Sequence, residues 1–185
     1  MVDANCAYDM KTALQVGRAL EDLNIFWFEE PISPDNVEGY EVLARSLNLR
    51  LAAGEAEFTR YGFRQFFTRQ ALDIVQPNVC RAGGFTECKK IAALSSTFHI
   101  PYAPHTGSSS AVCMAASLHL AAALPNFLIY EYMQTDWNKD QKNPLRWDLV
   151  QLPIKSFKDS HIELEDKPGL GIELNEEVVS QYAVK

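Results

Sequence analysis

The run IFWFE at residues 25–29 is a short apolar stretch closed by an acid, Glu29, with Glu30 and Pro31 directly behind it. Aromatic and β-branched residues in a run of this length suit a buried strand, and the proline ends it. The same arrangement stands 26 residues earlier, where MVD ends on Asp3, and 26 residues later, where LAAGE ends on Glu55. The beat continues to Asn78, His105 and Glu131, at steps of 23, 27 and 26, after the runs DIVQPN, IPYAPH and FLIYE. Six polar groups therefore recur at six strand ends.

Helical periodicity fills the intervals. Residues 9–23 place Ala13, Leu14, Val16, Leu20 and Leu23 near one face. After the start signal Ser33-Pro34-Asp35, residues Val37, Tyr40, Leu43, Ala44 and Leu47 recur at steps of three and four. Thr59 is expected to cap a third helix running to Leu72, with Phe63, Phe66, Phe67 and Leu72 inside. A fourth starts at Gly84, with Glu87 in its first turn, and a fifth, over residues 109–123, is small, apolar and expected to be deeply packed.

Strands alternating with helices argue for a parallel α/β architecture, because parallel neighbours need crossover connections. An open sheet would gather ligands at one switch point, whereas here every strand end offers a polar group, which favours a closed (β/α) TIM-type barrel. In such a barrel the strand ends converge on one mouth, so Asp3, Glu29 and Glu55 would bring about three negative charges together. Oxygen ligands without sulfur suit a hard divalent cation, Mg²⁺ or Mn²⁺. Six βα units fall short of eight, and a full barrel takes about 250 residues. The expectation is an incomplete barrel over residues 1–148, short at its N-terminus, followed by a β-containing segment over 149–185 that packs on the barrel or on an absent capping domain.

At 185 residues, 47% hydrophobic and 22% charged, the chain has an ordinary globular composition. A net charge of −7 and the lack of a dense Lys/Arg cluster argue against a nucleic-acid surface. Cysteines 6, 80, 88 and 113 form no CxxC pair and read as reduced, buried thiols of a cytoplasmic protein. No apolar run approaches the roughly 18 residues of a membrane helix, and Asp3 interrupts the start where a leader would be basic and then apolar.

The ordered motifs Val2-Asp3-Ala4-Asn5, Phe28-Glu29-Glu30-Pro31, Ala53-Gly54-Glu55, Gln76-Pro77-Asn78, Arg81-Ala82-Gly83-Gly84, Pro104-His105, Glu131 and Pro168-Gly169-Leu170-Gly171 resemble one family along the whole chain. It is the enolase superfamily, in its mandelate racemase and muconate lactonizing enzyme-like C-terminal barrel domain, which includes many sugar-acid dehydratases. The resemblance assigns Asp3, Glu29 and Glu55 to a divalent metal. It implies removal of the proton α to a carboxylate, with the ion stabilising the enediolate. His105 becomes the general base or acid, Glu131 a donor to the substrate carboxylate, and Asn5 and Arg60 substrate contacts.

Two departures from the family pattern stand out. The position that pairs with His105 is usually an aspartate and here is Asn78. A neutral amide is expected to leave the imidazole less basic and its proton less firmly placed, suiting His105 to an acid's role. The family's catalytic lysine of the second barrel strand and its capping domain are expected to have no counterpart within these 185 residues. The resemblance thus implies a Mg²⁺-dependent dehydratase of a small sugar acid, expected as a homo-oligomer. A racemase or a cycloisomerase of an aldaric-acid lactone is the alternative, and a chain inactive on its own is another. The 132–147 segment is expected to separate the enzymes. His99, His119 and His161 read as structural or surface residues, Glu30 as a neighbour that orients or shields Glu29, and Arg81-Ala82-Gly83-Gly84 as a tight turn.

Overall fold

Four strands, β1 (Val2–Asp3), β2 (Trp27–Glu29), β3 (Arg50–Ala53) and β4 (Ile74–Val75), pair in parallel and in chain order. The computed structural model describes residues 1–132, 143–151 and 157–184. Register sets Asp3 opposite Glu29, Glu29 opposite Ala52, and Ala53 opposite Val75. Parallel bridges from Val75 to Tyr102 and from Tyr102 to Phe127 carry the same order through two more segments. Six successive parallel segments, each next to the one before it, follow the order of a (β/α) barrel.

The chain divides into two compact units. The first comprises Met1–His105 with Leu124–Ile129, and the second Thr106–Ala123 with Tyr130–Lys185. In the first unit, Trp27, Ala52, Ile74 and Ala103 come from four successive parallel segments and form one buried cluster. Around them lie α1 (Met10–Asp22), α2 (Val37–Ser46), α3 (Thr59–Thr68) and α4 (Gly84–Thr97). Asp9 caps α1 by accepting from the Thr12 amide, and Asn36 caps α2 by accepting from Gly39. Tyr40 is fully buried against the edge of Phe66, and its hydroxyl donates to the Ile32 carbonyl at 2.9 Å.

Three helix expectations need correction. Leu23 is 69% exposed, because α1 has ended at Asp22 and turns its buried face through Ala13 and Gly17 instead. Thr59 caps α3 only weakly: its φ is 55° and its Oγ1 accepts from the Tyr61 amide at 3.4 Å. The Glu87 carboxylate, brought by α4, accepts from the Arg60 amide at 2.9 Å and does that work from a distance in sequence. α3 also ends at Thr68, and Leu72 is buried beyond it.

In the second unit, α5 (Ala111–Ala122) begins at the cap Ser110 and buries nine of its twelve residues, as its small apolar composition predicts. α6 (Pro144–Trp147), the antiparallel pair β5 (Phe157–Lys158) and β6 (His161–Ile162), and α7 (Glu176–Tyr182) complete it. The 133–142 part of the polar loop and residues 152–154 of the expected β segment lie outside the described residues. None of the four cysteines is in a disulfide, but only Cys88 and Cys113 are buried; Cys80 is exposed and Cys6 half-buried. Among the described residues no helix is long and apolar enough to cross a membrane.

Candidate active site

Backbone pairing delivers the acids to neighbouring strand ends. Asp3 and Glu29 are register partners, and the Ala4 amide donates to the Glu29 carbonyl at 3.0 Å. Glu55 follows β3 after Gly54, whose φ of 132° belongs to glycine. A Cβ at Gly54 would stand 2.7 Å from the Phe63 ring and 3.2 Å from the Gln76 amide nitrogen. The small residue therefore lets the chain pass close to the next strand and sets Glu55 at the rim.

Each acid already has a protein partner. The Asp3 carboxylate accepts from the Asn5 amide nitrogen at 2.8 Å and from its side-chain Nδ2 at 2.9 Å. Glu29 accepts from the Trp27 indole at 3.0 Å. Glu55 Oε2 lies 3.0 Å from His105 Nε2, and Arg81 sits 3.9 Å from Oε1. The hydrogen bond with His105 holds the Glu55 carboxyl below the ordinary carboxylate range, against the upward push of partial burial.

His105 and Asn78 are both buried, and His105 Nδ1 lies 3.1 Å from Asn78 Nδ2. The other end of that amide, Oδ1, accepts from the Cys80 backbone N–H at 2.9 Å. Asp73 takes no part. It sits ahead of β4 and accepts from the Leu51 amide at 2.9 Å.

The structure thus joins Asn78, His105 and Glu55 in one chain of contacts, and Asn5 with Asp3 in another. Asn5 has left the strand, with a φ of 46°, and holds the Asp3 carboxylate. Arg60 is engaged elsewhere: its guanidinium donates to both Glu87 oxygens at 2.7 and 2.8 Å and to the Tyr61 hydroxyl at 2.9 Å. Glu131 belongs to the second unit, where its Oε2 accepts from the backbone N–H groups of Thr106 and of Gly107, the latter at 2.9 Å. Buried Arg146 donates to the Ser109 and Thr106 carbonyls there. Among the histidines set aside on sequence, His119 Nε2 meets the Leu170 carbonyl at 3.2 Å. Gly83 and Gly84 have φ of 115° and 76° in the turn that starts α4.

The residue that sequence reasoning underrated is Glu30. It is 4% exposed, its Oε2 accepts from the Cys6 thiol at 3.1 Å, and its Oε1 has no hydrogen-bond partner. Burial first, and then the negative charges of Glu55 and Asp3, push its carboxyl above the ordinary range. The same burial, with Glu30 alongside, pushes the Cys6 thiol up to about 12, so it stays protonated. The signal available in the sequence was the buried context on both sides, Phe28 before and Pro31-Ile32 after.

Among the described residues no three His, Cys, Asp or Glu side chains are arranged to hold an ion. The donor chemistry nevertheless suits a hard divalent cation: three carboxylates on adjacent strands, with a buried fourth whose orphaned oxygen lies in their negative field.

Parallel strands in chain order, with polar groups at their ends, define a domain of the (β/α) barrel class. The family model Enolase C-terminal domain-like matches residues 1–178, and the chain belongs to that family. D-xylonate dehydratase of Haloferax volcanii is 34% identical over 185 residues, which cover 99% of this chain and 42% of that enzyme. D-galactarolactone cycloisomerase of Agrobacterium fabrum is 31% identical, over 98% of this chain and 48% of that enzyme. The crystal structure of the 3,6-anhydro-D-galactonate cycloisomerase from Zobellia galactanivorans superposes with a TM-score of 0.88 at 36% identity, covering 100% of this chain and 50% of that one. The chain therefore spans about half the length of these relatives, a dehydratase and two cycloisomerases.

Proposed function

We propose that the chain takes part in Mg²⁺-dependent removal of the proton α to a carboxylate, most directly in the dehydration of a sugar acid. The observation that carries this is the contact chain Asn78–His105–Glu55 at three strand ends, beside the register pair Asp3 and Glu29. Asp3, Glu29 and Glu55 would hold the ion, with Mn²⁺ as a substitute. Bound there, a divalent cation supplies the positive charge against which a substrate carboxylate takes up electron density as its α-proton leaves.

The protein's own groups set the rest. Asn5 holds the Asp3 carboxylate in place and offers an amide at the exposed rim. His105 is buried, is oriented from both sides, and would meet the substrate as the candidate acid. Arg60, gripped by Glu87, positions the start of α3 after the Glu55 loop, and a substrate contact from it would have to compete with that ion pair. The same reading takes the protein to be a cytoplasmic homo-oligomer acting on small carboxylates rather than on nucleic acid or membrane.

The likeness to two cycloisomerases supports a second reading, cycloisomerisation of a sugar-acid lactone by the same α-proton chemistry. One experiment separates them. The purified chain with Mg²⁺ is given D-xylonate and D-galactarolactone, and products are weighed by mass spectrometry. A product lighter by one water supports dehydration, and a new product of unchanged mass supports cycloisomerisation. No product from either refutes enzymatic action by this chain alone and leaves it as an inactive or structural subunit.

A further inference from the structure

We propose that Asn78 is a positioning residue that fixes His105 as the neutral tautomer with its proton on Nε2, so that this histidine meets substrate as a hydrogen-bond donor and not as the base. The inference deepens the reading above, since it concerns the same site, but its geometry stands apart from any substrate.

The argument starts at Cys80. Its backbone N–H donates to Asn78 Oδ1 at 2.9 Å, and a backbone N–H can only donate. That bond decides which end of the buried amide is oxygen. The NH₂ end therefore faces His105, 3.1 Å from Nδ1. An amide NH₂ has donors and no acceptor, so a hydrogen bond there requires Nδ1 to present its lone pair. In neutral imidazole the proton then lies on Nε2. The partner on that side agrees: Glu55 Oε2, 3.0 Å away, is an acceptor. Donor on one side and acceptor on the other select the same tautomer.

An aspartate at position 78 would present an acceptor to Nδ1, take the proton on that nitrogen, and leave the Nε2 lone pair open to receive a proton. Asn78 reverses this. Nε2 already carries its hydrogen and cannot accept the α-proton, while a proton on Nδ1 would point into an NH₂ group. His105 can donate a hydrogen bond to a carboxylate or to a hydroxyl oxygen about to depart, and a different group must act as base.

The test is long-range ¹H–¹⁵N correlation NMR of the full chain labelled with ¹⁵N-histidine at neutral pH, with the His105 signals assigned by their loss in His105→Gln. The expected spectrum shows a protonated Nε2 and a bare Nδ1. Glu55→Gln makes the Nε2 partner neutral and should leave the tautomer unchanged, because Asn78 still donates to Nδ1. Asn78→Asp should place a proton on Nδ1. A wild-type protein with Nδ1 protonated overturns the inference, as does a tautomer that switches in Glu55→Gln. Should Asn78→Asp fail to fold, the wild-type and Glu55→Gln spectra still decide it. The tautomer is read without substrate, so failure of sugar-acid turnover and failure of this inference are separate results.

Discussion

His105 Nε2 and Glu55 Oε2 stand 3.0 Å apart across 50 residues of sequence, tying the end of the third strand to that of the fifth. The contact makes Glu55 the acceptor for the imidazole, alongside its proposed role as a carboxylate ligand for a cation.

Glu55→Gln removes one carboxylate charge from the proposed ion site. Calorimetric titration of Mg²⁺ into the purified chain should show affinity reduced by at least the roughly 10–100-fold that loss of an outer-shell partner costs. Undiminished binding would remove Glu55 from the ligand set. The wild-type Glu55 carboxyl is depressed in the folded state, so its bond with His105 contributes stability above the ordinary carboxylate range and loses it as pH falls through the depressed value. Melting curves of the two proteins should accordingly converge in acid.

Glu30→Gln tests the opposite sign. The Glu30 carboxyl is pushed up by burial, so the folded chain keeps a proton that the unfolded chain has already released. Stability is then greatest below the ordinary carboxylate range and declines as pH rises through the elevated one. Without added metal, the glutamine variant should melt higher than wild type at neutral pH and lack this decline. A lower melting temperature at neutral pH would show that the buried charge has a compensating partner.

Gly54→Ala introduces a Cβ against the Phe63 ring at a φ that favours glycine. A loss of roughly 1–3 kcal/mol is expected in urea unfolding, together with weaker Mg²⁺ binding through displacement of Glu55. Unchanged stability would mean that the loop relaxes freely.

Arg60→Ala distinguishes a structural arginine from a substrate contact. Glu87 accepts from both the Arg60 backbone and its guanidinium, so the variant should lower the melting temperature, and Glu87→Gln should do so as well. If turnover is found, a raised KM at unchanged melting temperature would instead place Arg60 on substrate.

Much of the barrel was legible because it rests on local rules. Apolar runs ending in a polar residue at a period near 26, separated by stretches with a repeat of three to four, specify parallel segments in order, and all six pair as that pattern implies. Helix ends were less legible. The shorter cap bond of α3 comes from Glu87, 27 residues away from its partner Arg60, and no local motif announces a bond across that distance.

The sequence by itself determined the fold class and which side chains close the strand runs, because strand periodicity and chain order are properties of neighbours along the chain, and its ordered motifs carried the resemblance to the family. Tertiary structure alone decided what those side chains meet. It buried Glu30 with an unpaired oxygen, committed Arg60 to Glu87, and set the Asn78 amide and the Glu55 carboxylate on either side of the His105 ring. Distance along the chain is the physical reason: a local turn can orient the Asn78 amide through the Cys80 N–H two residues on, but which ring that amide meets, 27 residues away, depends on strand pairing.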